Sequence, residues 1–588
     1  MAAMLSSACV LGVLLSATAS AQFVTPPTDL TATAGYLDIP VRWKEVPEGI
    51  CELTPGVRSY SGYVDIFEDQ HVFFWFFESR SENPEEAPLT VWINGGPGSS
   101  SMIGLFQELG PCGVDADGNV YTNRHAWNNA SNMLFIDHPA QVGFSYSTPI
   151  SGYQTKSSEI AQLPNATCFD FAGDTCGTYS YPNLTNTANS TADAAPSMWR
   201  TLQGFMGAFP QYSRNEFNFA TESYGGHYGP IFNAYIESQN DLIEKSSLPG
   251  AHHINLSTLL IGNGWYDPLV QYAAFYNFTV FPGNTYDYDP YNQSTKNQLY
   301  NAMYGPGNCY DRTLDCYNRG INEICSAADT FCANEVESVL DNVANRDEYD
   351  IRELSPDPFP YSYYVDYLNT PKVQQAIGAF VNFSESNSAV GNAFGSTGDD
   401  DRESGTIAAV RSLVEDGIYV VQFAGDADYN CNWLGGQVIA EKVNAPGFSS
   451  AGYENVTTSD NIVHGQVKQS DNFAFVRVYE SGHEVPFYQP VLALEMFERA
   501  INGKNIATGE KHWKKYKSVG PAESTFREGN GTMQFAVLPT NATYNTTTNA
   551  PNPVNGTNGT AAISAAAARQ DMKKKAKRMF KPSYQDRR

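Results

Sequence analysis

The stretch TESYGGHYGP, residues 221–230, sets Ser223 between Glu222 and Tyr224, directly after the apolar run Phe217–Ala220. An apolar run that meets a serine and two glycines reads as a strand turning sharply into a helix. Such a turn lifts the hydroxyl clear of the sheet, where a histidine from elsewhere in the fold can activate it as a nucleophile. The general pattern is Gly-x-Ser-x-Gly, and Thr221 stands here in place of the first glycine. A plain tight turn beside a helix satisfies the same pattern, so the assignment needs partners.

Two later segments supply them. In IYVVQFAGDADYNCNW, Asp426 and Asp428 follow the strand-like run Ile418–Ala424; in NFAFVRVYESGHEVPF, His483 follows Phe473–Tyr479. Loops beyond buried strands carry the chemistry of open α/β sheets. The order serine, acid, histidine is that of the α/β-hydrolases and differs from the orders of the chymotrypsin and subtilisin folds. His483 stands out among nine histidines through its place after a strand; His227 reads as a helix residue behind the nucleophile.

A fourth segment, PLTVWINGGPGSSSMIGLFQELGP, runs an apolar strand, Leu89–Ile93, into consecutive glycines. With it, WINGGPGSSS, TESYGGHYGP, IGNGWYDP, AGDADYNCNWLG and SGHEVPFYQP together resemble the serine carboxypeptidase family, the group that includes carboxypeptidase Y and secreted fungal enzymes. The match spans about residues 45 to 505. The resemblance implies an α/β-hydrolase fold with a central mixed, mostly parallel sheet and a disulfide-stapled cap insertion.

It also implies roles. Ser223 would be the nucleophile, His483 the base, and Asp428 the acid that orients the imidazole, with Asp426 structural; losing Asp428 should cripple turnover more than folding. The backbone N–H groups of Gly96 and Tyr224 would form the oxyanion hole. Trp92, Asn94, Gly95, Glu108 and Glu222 would bind the substrate's terminal carboxylate, and Cys431 would be a free thiol in the pocket. Two glutamates can face a carboxylate only while they hold protons, because like charges in contact repel when partly buried. Activity is therefore expected at acidic pH, with no cofactor and no metal. Glu484, next to His483, departs from the apolar residue of carboxypeptidase Y and would favour polar or basic side chains if it faces the pocket.

Ten cysteines become nine once Cys9 leaves with the leader, an odd number. The resemblance leaves Cys51, Cys112, Cys168, Cys176, Cys309, Cys316, Cys325 and Cys332 for four disulfides. Their spacing contains no Cys-x2-Cys pair of the zinc type. Relatives carry a further cysteine where this chain has Ser99, and Ser386 is the expected site of its missing partner.

The first 21 residues read as a secretory leader, although its start lacks positive charge. Asn-x-Ser/Thr acceptors at Asn129, Asn165, Asn183, Asn189, Asn277, Asn382 and Asn455 suggest N-linked glycans on a secreted or vacuolar protein, monomer or homodimer, without a transmembrane span. A formal net charge of −27 argues against nucleic acid as a partner; the C-terminus of a peptide or protein is the substrate that the resemblance implies. Residues 22–265 and 401–517 form the expected core, 266–400 the cap, and 518–588 a disordered, glycosylated tail with a basic end, since so polar a tract offers little to bury. Two alternatives use the same residues: acyl transfer from activated esters by the same triad, and a non-catalytic protective glycoprotein.

Overall fold

The computed structural model describes residues 23–552. The leader and the basic end from Ala561 lie outside the described residues. A twelve-stranded sheet forms the centre. In chain order its strands are β1 (Thr31–Ala34), β2 (Pro40–Glu45), β3 (Ser59–Phe67), β4 (Gln70–Phe77), β5 (Leu89–Ile93), β6 (Asn132–Ile136), β7 (Phe217–Glu222), β8 (Leu256–Gly262), β9 (Tyr419–Gly425), β10 (Glu454–Thr457), β11 (Val463–Ser470) and β12 (Phe473–Val478). They lie side by side as β1-β2-β3-β4-β6-β5-β7-β8-β9-β12-β11-β10.

The six middle strands, β6 to β12 in that spatial order, run parallel to one another, and antiparallel ribbons extend both edges. Parallel strands are covered on both faces, which is why LTVWI of β5 and FAFVRV of β12 are buried at every position rather than alternately. Helices α1 (Thr191–Ala208) and α2 (Gly225–Glu244) pack together against the sheet, with Met198, Leu202, Phe205, Tyr228, Phe232 and Ile236 fully shielded from solvent. Because the middle strands point the same way, the loops after β5, β7, β8, β9 and β12 all emerge at one edge.

Between β8 and β9 the chain leaves the sheet for a helical segment over that edge. Its helices include Pro268–Thr279, Gln293–Tyr304, Cys309–Arg319 and Asn322–Cys332. The nested disulfides Cys309–Cys332 and Cys316–Cys325 join the last two, and Cys51–Cys112 and Cys168–Cys176 staple loops elsewhere. No helix of the described residues is long and apolar enough to cross a membrane.

Two expectations are corrected. Residues 518–552 are not a loose tail: they pack along the core, include a hairpin of Tyr544–Asn545 with Ala550–Pro551, and bury Met533, Ala542 and Asn549. Isolated aromatic anchors, not a periodic apolar pattern, hold it. Asn382 is not an open glycan acceptor, because it is buried and its amide oxygen accepts from the Thr178 N–H at 2.8 Å.

Ser99 and Ser386 face each other as an isolated antiparallel bridge. Directly opposed residues of this kind stand about 4.5–5.5 Å apart at Cα, within disulfide range. The double variant S99C/S386C is therefore expected to oxidise spontaneously and to raise unfolding stability by about 2–4 kcal/mol through closure of a long loop. Free thiols at both positions under oxidising conditions, read by mass spectrometry, would contradict the pairing.

Candidate active site

Ser223 sits at the turn between β7 and α2 with φ +61°, a left-handed conformation that L-residues hold only where surroundings enforce it. The Ser223 N–H donates to the Gly262 carbonyl at 3.0 Å, and the Ser223 carbonyl accepts from the Gly226 and Trp265 N–H groups at 2.9 and 2.8 Å. These bonds fix the turn on the neighbouring loop after β8. Thr221 is accommodated where the pattern wants glycine because its side chain packs into the space left by Gly225, where a Cβ would meet Thr221 Oγ1 at 2.0 Å.

His483 lies in the loop after β12. Its Nδ1 is 2.8 Å from Asp428 Oδ2, and Asp428, in the loop after β9, is fully buried. The same carboxylate oxygen accepts from Asn263 Nδ2 at 2.6 Å and from the Cys431 N–H at 3.2 Å. The backbone of His483 is held in turn, its N–H donating to the Tyr349 carbonyl at 2.9 Å, with the Tyr349 ring 5.0 Å away. Burial works against the charged imidazole, but Asp428 outweighs it and Glu222 and Glu348 add to the effect, so His483 is raised to about 9.

Asp426 does not face the cavity. It pairs with Arg477 at 3.1 Å, both fully buried, and accepts from the Glu480 N–H at 3.0 Å and Tyr286 Oη at 2.8 Å. This ties the loop after β9 to the loop after β12. Removing one partner of such a buried pair costs about 3–5 kcal/mol, because the other charge is left uncompensated.

Ser223 and His483 line one cavity of about 700 Å³, together with Asn94, Gly95, Gly96, Glu222, Tyr224, Cys431 and Glu484. The Gly-Gly pair has a steric reason. A Cβ on Gly95 would lie 2.4 Å from the Tyr224 nitrogen, and Gly96 adopts φ +109°. Trp92 and Glu108, expected with Asn94, Gly95 and Glu222 to bind the substrate's terminal carboxylate, stand one layer behind the cavity wall. The Trp92 indole N–H donates to Asn94 Oδ1 at 2.8 Å, and Asn94 Nδ2 donates to Glu222 Oε1 at 2.7 Å and reaches Glu108 Oε1 at 3.5 Å. The indole thus sets which way Asn94 presents its amide.

Burial, then the neighbouring Glu222 and Glu484 carboxylates, push Glu108 well above the usual carboxylate range. Burial also raises Glu222, against which His483 and the contacts with Glu108 and Asn94 pull down. Both carboxyls of the pair are therefore held above their ordinary range, with burial as the leading cause. Cys431 is a buried free thiol whose ionisation is suppressed first by burial and then by Asp428. Asp428, Cys431 and His483 bring ligand atoms within 4.8 Å of one another, but Asp428 Oδ2 is already engaged by three donors.

Sequence reasoning missed Asn263, Tyr349, Glu348 and Arg477 as supports of this site. Asn263 had a signal, since it lies in IGNGWYDP directly after β8.

The profile of the serine carboxypeptidase family matches residues 47–503. Carboxypeptidase S1 of Penicillium janthinellum is 40% identical over 464 residues, covering 78% of this chain and 99% of that protein. Carboxypeptidase S1 homolog B of Arthroderma otae is 39% identical over 551 residues, covering 86% of this chain and 84% of that one. A carboxypeptidase Y homolog of Arthroderma benhamiae is 33% identical over 527 residues, covering 83% of each. Among solved structures, Kex1(delta)p, a prohormone-processing carboxypeptidase from Saccharomyces cerevisiae, superposes with a TM-score of 0.62 at 22% identity, covering 78% of this chain and 95% of that one, which shows the shared fold. The chain belongs to the serine carboxypeptidase family and is a serine-type carboxypeptidase, a hydrolase.

The cavity's acids also set a stability profile. Burial, reinforced by neighbouring carboxylates, raises Glu337 to about 8 and Glu348 to about 7. A folded carboxyl that holds its proton more tightly than in the unfolded chain contributes stability that is present below the ordinary carboxylate range and lost as pH rises through the folded value. Tm should therefore fall between about pH 5 and pH 8. A Tm that is flat or rising over that interval would contradict the burial of these groups in their neutral form.

Proposed function

We propose that the enzyme removes C-terminal residues from peptides at acidic pH through an acyl-enzyme on Ser223. His483 takes the hydroxyl proton as Ser223 attacks the scissile carbonyl and returns it to the departing amine, while Asp428 holds the tautomer and stabilises the imidazolium. The backbone N–H groups of Gly96 and Tyr224 receive the developing oxyanion. Water then attacks the acyl-enzyme by the same route in reverse.

The observation that carries the reading is a buried glutamate pair beside Ser223, its carboxyls raised by that burial. Asn94, Gly95 and Glu222 line the cavity next to Ser223, and Glu108 lies behind them. A protonated Glu222–Glu108 unit with the Asn94 amide can donate hydrogen bonds to a terminal carboxylate, which an internal peptide bond does not offer. This supports exopeptidase over endopeptidase action. Glu484, also on the cavity wall, is raised by burial and then by Glu222 and Glu385, and favours leaving residues with polar or basic side chains.

The pH dependence has two opposed parts. Ionised Glu222 and Glu348 help to keep His483 charged, so protonating them at acidic pH weakens that hold and eases its work as a base. Rising pH ionises the glutamate pair, which then repels the substrate carboxylate. The acidic setting suits a secreted or vacuolar glycoprotein, with the exposed acceptors Asn165 and Asn189 as glycan sites. No metal or cofactor enters the scheme.

The test compares one peptide as a free acid and as its C-terminal amide. KM for the free acid is expected to rise at least about tenfold from pH 4.5 to pH 8, and KM for the amide to stay nearly constant, since one ionised group facing a partly buried carboxylate costs a few kcal/mol. E222Q should flatten the free-acid profile. A free-acid KM independent of pH would overturn the assignment of the pair.

A further inference from the structure

The region matched by the family profile ends at residue 503, yet the chain continues as a packed segment to residue 552. Several of its anchors fall at the two ends of the loop that carries His483.

At the first end, Tyr479 is the residue after β12, and Phe526 stacks on its ring with centroids 4.3 Å apart. Beside it lies Arg477, whose guanidinium rests 4.0 Å over the Trp433 ring and joins Asp426 at 3.1 Å. Three of its remaining acceptors come from the segment: the Phe526 carbonyl at 2.8 Å, Ser524 Oγ at 2.8 Å and the Ser524 carbonyl at 3.3 Å. A fully buried guanidinium must satisfy its donors inside the protein, so these acceptors are part of what keeps Arg477 in place. Arg477 in turn fixes Asp426, which accepts from the Glu480 N–H and so couples the loops of Asp428 and His483.

At the other end, Asn549 is buried against Tyr488 and Gln489. With its amide turned so that both atoms are satisfied, it donates to the Tyr488 carbonyl at 3.0 Å and accepts from Gln489 Nε2 at 2.6 Å. Tyr544 packs its ring on Phe487 and Tyr488 at 5.5 and 5.4 Å and on Phe359 at 5.2 Å, while its N–H donates to Tyr361 Oη at 2.7 Å. Pro360 and Ser362, from the stretch so braced, line the cavity.

We propose that residues 524–549 are a positioning strap that clamps both ends of the His483 loop, so that catalysis by this chain depends on a segment beyond the region matched by the family profile. The strap touches neither substrate nor reacting atoms. It acts by holding the imidazole at the distance and angle that Asp428 and Ser223 require, where a displacement of about 1 Å can cost about 100-fold in rate. The proposal rests on the serine mechanism given above.

The test uses the full-length enzyme, well below each variant's Tm. F526A and N549A are compared with F526Y, which keeps the stack, and with M206A, a cavity in the buried face of α1 remote from the loop. For each, kcat, KM and the rate of Ser223 phosphonylation by a fluorophosphonate are measured. F526A and N549A are expected to lose about tenfold or more in kcat and in phosphonylation rate together, with KM within about threefold. F526Y should match the wild type, and M206A should lower Tm without changing either rate. Strap variants whose rates stay within twofold of wild type while Tm falls, as in M206A, would reduce the segment to packing and overturn the proposal. A rise in KM alone would assign it to the cavity wall and overturn it too. Wild-type enzyme that resists the reagent would instead contradict the serine mechanism itself, and the strap's role with it.

Discussion

The buried contact between Asp428 and His483 is the constraint around which the rest of the site is arranged. Neither residue could reach the other unless β9 and β12 lay side by side and ran the same way, because each side chain leaves from the loop at its strand's end. The parallel block does this for all the chemical groups at once. Glycines at 95 and 96 follow β5, Ser223 follows β7, Asn263 follows β8, and the acid and histidine follow β9 and β12. A second buried pair, Asp426 with Arg477, fixes the spacing between the last two loops, so the adjacent acids of GDAD divide the work: one holds the scaffold and the other the imidazole.

Electrostatically the cavity is an excess of carboxyls with few cations. Such a site can fold only if many of those groups stay neutral, and burial together with mutual repulsion sees to that. Neutral carboxyls are also the form in which glutamate can donate to a substrate carboxylate. Stability therefore depends on low pH, and the proposed binding of a substrate carboxylate would share that dependence. The imidazole is the counterweight, since its charge is favoured by the acids that remain ionised.

Much of this was legible in the sequence. The parallel strands announced themselves as continuous apolar runs, and each ended in polar residues that proved to share one edge. Ser223, Asp428 and His483 could be named because catalytic loops follow strands in a fixed order, and Ser386 because Ser99 stood where a cysteine was expected. What was illegible has a common cause. Trp92 and Glu108 carry the right chemistry, but one layer of depth separates them from the cavity, and depth is a property of packing that spacing does not encode. Asn382 has an acceptor motif that burial closes. The segment after residue 517 is polar on average, so composition suggested a loose chain, whereas a few separated side chains, Phe526, Tyr544 and Asn549, each fill a single site on the core. Anchors without periodicity leave no pattern to read.

The most direct measurement is the turnover and thermal stability of D428N. The amide keeps the volume and one acceptor for Asn263 but can no longer hold the imidazole in the required tautomer or stabilise its positive charge. The account predicts that kcat falls by about 10³- to 10⁴-fold while Tm moves by only a few degrees and KM changes little. Activity retained within about tenfold of the wild type would contradict it, because the buried contact from which the site is built would then be dispensable to its chemistry.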